Sequence, residues 1–484
     1  MRKISLLVLV LLLGSTARAQ QGKRERWLGE RIDAALAARP ELGSARVGIA
    51  VLDVSTGRPV FMRGADAPFR IASVAKLATT GAALAILGPE YRFKTSLLAD
   101  SFDGKETIRG DLFVRGTGDP SLTTEVLWKL VGDLKLWGIK RIAGSVVIDD
   151  SFFDGETLPP GYDQKQEDGA FRAPVSAASL NYSSVAVLVQ PGARDGALAR
   201  VLLDPLSEYF VVENTAVTVK DGRTSVRVSQ AAKPGKTVLK VTGVIRLGSG
   251  PERFRKRIEH PATYFGESLR AFLQARGIKV EQGVKTGLTP QGARLLAAHV
   301  SEPLSVLVRD LNKYSNNFMA ETLLKVIGAE SSGMPGSFAS GITAIKGWLA
   351  QAGLGEGTYR FENGSGLYDS NQFTPRQLVA LIRHAYRDFR YSSDFVAALA
   401  LAGADGTIGH RMVGGAAERY VRAKTGTLDG VSCLAGLAGS ATRSPLAFAV
   451  LVNDLPNQGD APRSARAFQD EVAAALVLYL ENKD

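Results

Sequence analysis

The sequence predicts an α/β protein: one mixed domain built from the two ends of the chain, with a β-rich block of about 200 residues inserted behind its first helix. Three observations carry this. Helical patterning occupies residues 71–87 and returns at 304–327, 344–352 and 375–386. Between about 95 and 300 the chain breaks into short β-like runs split by Gly, Pro and Lys turns. Strand-like runs resume at 434–437 and 446–451, before a last helical stretch at 465–480.

In chain order, residues 46–53 and 59–62 read as two strands joined at Ser55-Thr56-Gly57. The alanine-rich stretch 71–87 is a helix with Ser73 near its start. The inserted block contributes strand-like runs at 112–114, 145–148, 185–189, 211–219, 224–228 and 238–247. The final helix is amphipathic, and its apolar stripe suits packing against a sheet. There is no internal repeat.

At 484 residues the chain exceeds one ordinary domain, and about three domains are expected. A hydrophobic share of 45% with 22% charged residues supplies globular cores rather than disorder. The net charge is 59 − 48 = +11, yet no run of five basic residues occurs, which argues against a nucleic-acid arm. Arg2 and Lys3, the apolar stretch 5–13 and Ala17-Arg18-Ala19 before Gln20 read as a cleaved export signal over residues 1–19. No later segment is apolar for about 18 residues, so no membrane span is expected. Cys433 is the sole cysteine, which leaves no intramolecular disulfide.

The chemistry lies in three strings in fixed order: Ser73-Val74-Ala75-Lys76, Ser315-Asn316-Asn317 and Lys424-Thr425-Gly426-Thr427. Read as S-x-x-K, S-x-N and K-T-G, they form the motif set of the penicillin-recognising serine acyl-enzymes. Residues three apart share a helix face, so Lys76 reaches back to the Ser73 hydroxyl. A lysine is a base only when neutral; burial and the charge of Lys424 both lower its pKa. The helix start also turns the Ser73 N–H toward a forming oxyanion. Two decoys exist. Lys285-Thr286-Gly287 precedes the S-x-N string and runs into Pro290, and Ser179-Leu180-Asn181 leads straight into a strand-like run. The histidines, His260, His299, His384 and His410, form no H-E-x-x-H, and paired cysteine ligands are absent, so no metal site is expected. No G-x-S-x-G elbow is present.

With these strings the chain resembles the class C low-molecular-mass penicillin-binding proteins, the D-alanyl-D-alanine carboxypeptidase/endopeptidases of peptidase family S13. Further strings carry the resemblance: Gly116-Thr117-Gly118-Asp119-Pro120-Ser121-Leu122, Ala173-Pro174 through Asn181, Gly364-Ser365-Gly366-Leu367 with Asn371 and Thr374-Pro375, and Asp405-Gly406-Thr407. The spacing from Lys76 to Ser315, 315 − 76 = 239 residues, matches the family's inserted domains. The resemblance implies a β-lactamase/DD-peptidase-like catalytic domain over 20–95 and 300–484, an inserted domain over 96–190 and 265–299, and a nested β-rich domain over 191–264. It also implies roles. Ser73 attacks the penultimate D-Ala carbonyl and Lys76 takes its proton. Ser315 passes a proton to the leaving amine, while Asn317 binds the substrate amide and contacts Lys76. Lys424, Thr425 and Thr427 bind the terminal carboxylate within the Lys424-Thr425-Gly426-Thr427 strand, and the N–H groups of Ser73 and Thr427 form the oxyanion hole. No cofactor is implied. The partners implied are peptidoglycan peptides as substrates, β-lactams as inhibitors and a periplasmic setting.

Two departures stand out. The family often carries Arg after its GSGLS string to hold the free end of the diaminopimelate side chain, and here Asp369 follows Tyr368. The family's substrate-contacting acid has Glu167 or Asp168 as its nearest counterpart. A weakened preference for a free diaminopimelate carboxylate is therefore expected. Two rivals share features. A β-lactamase would need a deacylating carboxylate, and no E-x-x-L-N string follows Ser315; the Y-x-N alternative at Tyr314 and Asn316 is one residue out of register. A non-catalytic wall-binding scaffold would have no need of both lysines.

Overall fold

The computed structural model describes residues 21–456 and 459–481. The expected leader lies outside these residues. Among the described residues no helix is long and apolar enough to cross a membrane.

A six-stranded antiparallel sheet organises the two ends of the chain. Its strands are β1 (Arg46–Asp53), β2 (Pro59–Arg63), β3 (Ala400–Leu401), β4 (Val421–Leu428), β5 (Val431–Ala438) and β6 (Leu446–Asn453), in the order β2-β1-β6-β5-β4-β3. Ile49 of β1 pairs with Val450 of β6. Every residue of β5 and β6 is buried, so the sheet is covered on both faces. Strand alternation divides the apolar residues accordingly. Ile49, Val51, Leu434 and Val450 pack against the helix over 21–37 and the C-terminal helix Ala461–Glu481. Ala50, Ala435, Ala449 and Leu451 face the helices that carry the S-x-x-K and S-x-N strings.

The expected helix over 71–87 is present, preceded by a tight turn: Ala72–Ala75 is 3₁₀ and Lys76–Leu87 is α-helical. Residues 76–84 are all buried, so this helix runs through the core rather than over it. The expected helix over 304–327 is two helices, Leu304–Tyr314 and Asn317–Ser332. Ser315 breaks it in the left-handed region (φ 57°), and the Asn316 side chain then caps the second helix by accepting from Met319 N–H at 3.1 Å. A left-handed serine costs roughly 1–2 kcal/mol, and no Gly or Pro marks the break.

The block between the Ser73 helix and Leu304 has a core of its own, which includes Leu97, Val114, Ile148, Val187 and Leu269. Its main sheet runs Val284–Thr286, Val146–Asp149, Leu112–Gly116, Lys94–Ala99, Arg294–Val300. The strands at the two ends of the block are antiparallel neighbours, so they close the insertion at its stem. Two helices that the sequence reading passed over, Thr124–Leu136 and Pro261–Ala275, pack on this sheet. The expected run over 211–219 is two strands, Phe210–Asn214 and Val217–Val219, both parallel to Lys236–Arg246. Ser184–Gln190 pairs with Arg200–Asp204 and Glu252–Arg257, in a sheet that spans the position near 190, while residue 264 lies within the Pro261–Ala275 helix.

Candidate active site

The site is built where the Ser73 turn, the break at Ser315 and strand β4 converge. Ala72 is held at φ 49°, a strained conformation for a residue with a Cβ. This kink lifts Ser73 from the end of its helix. Lys76, one turn on, is wholly buried and places Nζ 2.9 Å from Ser73 Oγ. Nζ has two further partners, the Asn317 side-chain oxygen at 2.7 Å and the Ser365 carbonyl at 2.7 Å. A neutral amine has two N–H groups and one lone pair. The two oxygens take both N–H groups, and the lone pair is left for the Ser73 hydroxyl proton.

Electrostatics favour that neutral form. Burial, and then the charge of Lys424, hold the Lys76 ammonium well below its ordinary pKa, while Glu321 opposes them. Lys424 is itself buried, and its pKa falls to about 7 for that reason. Lys424 Nζ donates to Ser315 Oγ at 2.8 Å and to the Thr425 carbonyl at 2.8 Å. The three strings, 109 or more residues apart in chain order, are thus joined by direct contacts through the two lysines.

Strand β4 passes close to the Ser73 turn. A Cβ on Gly426 would lie 2.5 Å from the Ile71 carbonyl and 3.2 Å from the Val74 nitrogen. Glycine is what admits β4 to the Ser73 turn, so Gly426 acts here through its lack of a side chain. The short β3 pairs only with Arg422 and Ala423, so no strand of the sheet pairs beyond them along the outer edge of the Lys424–Thr427 segment. Thr427 is exposed, and the Thr425 hydroxyl lies 2.8 Å from that of Thr407. The Asp405-Gly406-Thr407 string braces this corner: Asp405 ion-pairs with Lys313, two residues before Ser315, and accepts from Leu401 N–H at 2.8 Å.

Residues of the inserted block reach the same centre. The Phe171 carbonyl accepts from Asn317 Nδ2 at 2.9 Å, and the Tyr162 hydroxyl lies 2.9 Å from Ser365 Oγ. A cavity of about 380 Å³ opens beside Thr427, with Arg70, Lys165, Glu167, Tyr368 and Asp369 in its wall. Of the two acidic candidates, Glu167 faces this cavity and accepts from the Tyr368 hydroxyl at 2.6 Å. Asp168 instead pairs with Lys256 at 2.6 Å. Both decoys lie elsewhere: Lys285 is on an outer strand of the inserted sheet, paired with Asp111 at 2.8 Å, and buried Ser179 donates to the Ser176 carbonyl.

Glu321, Tyr162, Phe171 and Thr407 were not singled out from sequence. Thr407 and Ser365 fall within strings that were noticed. A lone Glu in a helix and a lone backbone carbonyl carry no signal.

This geometry agrees with the comparisons. The chain matches the D-Ala-D-Ala carboxypeptidase 3 (S13) family over residues 28–476. The chain belongs to this family. Among S13 relatives and neighbours, a D-alanyl-D-alanine carboxypeptidase of Actinomadura sp. (strain R39) is 33% identical, over 98% of this chain and 89% of that one. The D-alanyl-D-alanine carboxypeptidase DacB of Haemophilus influenzae is 27% identical, over 79% of this chain and 80% of its own. The crystal structure of penicillin-binding protein 4 (dacB) from H. influenzae matches with a TM-score of 0.78 at 23% identity, covering 93% of this chain and 99% of that chain. These likenesses establish the serine β-lactamase/DD-peptidase-like fold with its insertion.

Within the S13 frame, the close passage of β4 yields a first prediction. Gly426→Ala is expected to push β4 off the nucleophile turn, costing about 1–3 kcal/mol and slowing acylation by benzylpenicillin more than about tenfold. Thermal unfolding and the rate of adduct formation measure the two effects; a variant that acylates at the parent rate would show that the close approach is unimportant.

Proposed function

We propose that the chain hydrolyses D-Ala-D-Ala termini of peptidoglycan peptides through an acyl-enzyme on Ser73. The observation that carries this is the contact of the buried Lys76 amine with the Ser73 hydroxyl. Lys76 removes the hydroxyl proton as Oγ attacks the penultimate D-Ala carbonyl. The Ser73 and Thr427 N–H groups receive the oxyanion; one such donor typically contributes about 3–4 kcal/mol to the barrier. The C–N bond then breaks, and Ser315, bonded to Lys424, relays the proton to the leaving amine. Asn317 binds the substrate amide while orienting Lys76. Lys424, from beneath, and the Thr425 and Thr427 hydroxyls hold the terminal carboxylate. Water attacks the ester, Lys76 takes its proton, and Ser73 is restored. When the leaving amine is free D-Ala this is carboxypeptidase action. When it belongs to a cross-linking side chain, the same steps are endopeptidase action. A β-lactam enters the same path and remains as an ester on Ser73.

The domain division belongs to this reading: a discontinuous catalytic domain over 20–95 and 300–484, an inserted domain, and a nested β-rich domain. An enzyme of wall peptides with an export leader acts in the periplasm. Intact-protein mass against time after mixing with benzylpenicillin tests the proposal. A long-lived adduct on Ser73, followed by D-Ala release from pentapeptide muropeptides, is the expected result. A fleeting adduct with turnover of the drug would favour the β-lactamase reading, and no adduct would favour the scaffold.

The cavity beside Thr427 bears on side-chain choice. Its guanidinium, Arg70, is engaged by Asp369 at 3.2 Å and by Asp454 at 3.3 Å. A substrate carboxylate must compete with both. The parent enzyme is therefore expected to release D-Ala from diaminopimelate and lysine pentapeptides at similar rates. Removing one half-exposed pair is worth up to about 1 kcal/mol, so Asp369→Ala should raise the diaminopimelate preference by about fivefold. A strong diaminopimelate preference in the parent that is unchanged in the variant would sink the idea.

A further inference from the structure

Close to Lys76 lies a carboxylate that the reaction as described does not use. Glu321 is on the Asn317–Ser332 helix, one turn beyond Asn317, and is wholly buried. Its oxygens accept from the Gly364 N–H at 3.0 Å and the Ser365 N–H at 2.8 Å. The carbonyl of that same Ser365 is one of the two acceptors that fix Lys76 Nζ. The inserted block completes the group: the Tyr162 hydroxyl lies 3.4 Å from Glu321 Oε1 and 2.9 Å from Ser365 Oγ. Tyr162 is held in turn by buried Arg172, whose Nε donates to its carbonyl at 2.6 Å.

We infer that Glu321, braced by Tyr162 of the inserted block, is a positioning residue for Lys76: it anchors the Ser365 carbonyl against the amine and supplies the negative charge that keeps the amine basic enough to take the Ser73 proton. The inference rests on the acyl-enzyme reading above.

An uncompensated carboxylate in a dry interior is costly. Burial outweighs the opposing pull of the two N–H groups, Ser365 Oγ and the nearby Lys76, and leaves the Glu321 pKa raised. Such a residue costs stability, which a packing role alone does not require. The charged and titratable groups around the pair are few. Lys76 faces Ser73, Asn317 and the Ser365 carbonyl, with Lys424 as the second cation and Glu321 as the anion. Glu321 faces Tyr162, whose ring meets that of Tyr368 edge-on at 6.2 Å. Lys325, one turn further along, is committed to Asp154 at 2.5 Å. Glu321 does not contact Ser73, so it acts through Ser365 and the field at Lys76, not as a base toward water.

The sign of the effect follows. Removing the anion lowers the basicity of Lys76. The amine is then neutral at lower pH, and it is a weaker base once neutral. Glu321→Gln is expected to move the acidic limb of the pH profile of kcat/KM to lower pH by about one unit, and to lower the plateau of D-Ala release by about tenfold or more. A purely structural role would lower the rate without moving the limb, and that result, or an unchanged profile, overturns the inference. Should Glu321→Gln lack a cooperative thermal transition, Glu321→Asp decides. It keeps the charge but withdraws the oxygens from the Gly364 and Ser365 N–H groups. A limb at the parent's pH with an approximately tenfold lower plateau supports the inference; a parent-like plateau or a displaced limb overturns it. The parent's own benzylpenicillin adduct separates the two levels: a parent with no adduct and no D-Ala release fails as an acyl-enzyme, whereas an active parent with an unmoved Glu321→Gln limb fails only here.

Discussion

Ser73→Ala is expected to reduce D-Ala release from a pentapeptide by about 10³-fold or more and to abolish the benzylpenicillin adduct, with the thermal midpoint close to that of the parent. The loss is large because Ser73 Oγ is the atom that Lys76 is arranged to activate. The amine's two N–H groups are spent on Asn317 and Ser365, so its lone pair has no other use. The fold has little stake in the hydroxyl, whose hydrogen bond is to Lys76 alone among those of the described residues. Alanine also suits a 3₁₀ turn that already contains Ala72 and Ala75. A variant that retains the parent's release rate would remove Ser73 as nucleophile and, with it, the acyl-enzyme scheme. Intact-protein mass and release of D-Ala, measured on one preparation, give both readouts.

The second large effect is on pH. Two buried lysines, one bonded to Ser73 and the other to Ser315, give a profile with two limbs. Lys76 must be neutral to act, and its ordinary pKa is strongly lowered by burial and by Lys424. Activity therefore rises with pH through the lowered pKa of Lys76. Lys424 must be charged to hold a carboxylate, and burial has brought its pKa to about 7. As pH rises through that value in the free enzyme, carboxylate binding is lost, so kcat/KM falls by about tenfold per unit well above it. Once a carboxylate is bound it favours the ammonium. The alkaline limb of kcat is therefore expected at higher pH than that of kcat/KM. Lys424→Arg, which stays charged throughout this range, should lose the alkaline limb even if its plateau is low. An alkaline limb that persists in this variant would show that a group other than Lys424 sets it.

The parts of the site that were legible in sequence are those fixed by local geometry. Ser73 and Lys76 are one helical turn apart, and a spacing of three on a helix is already a contact. Lys424 is distinguishable from Lys285 in sequence because Lys285 precedes the S-x-N string and runs into Pro290, whereas Lys424 is followed by the strand-like run at 434–437, part of strand β5. The helical pattern over 304–327 runs straight through Ser315, because a left-handed serine bears no compositional mark. Glu321 was illegible for a different reason: its importance depends on the Gly364 and Ser365 amides arriving from 43 and 44 residues away. The inserted block was read as almost wholly β, yet Leu127, Leu130, Val131 and Leu134 stand at helical spacing and are all buried in the Thr124–Leu136 helix. There the signal was present and the neighbouring strand-like runs masked it. The expected strand over 211–219 is interrupted at Thr215-Ala216, where the Ala216 carbonyl accepts from Ala199 N–H, although both halves keep one register along their partner strand.

The order of strands in the central sheet has a consequence for when the enzyme becomes active. β1, near the start of the chain, is completed on one side by β6, and Ile49 pairs with Val450 across about 400 residues. The Ser73 turn lies against β4 and β5, so its frame is unfinished until nearly the whole chain is present. Closing so long a loop costs only a few kcal/mol more than closing a short one, because the entropy grows logarithmically. Its effect is instead on timing, since distant pairings form late. On the acyl-enzyme reading, Ser73 is made early but lacks the strands that frame its turn until residues 421–438 have been added.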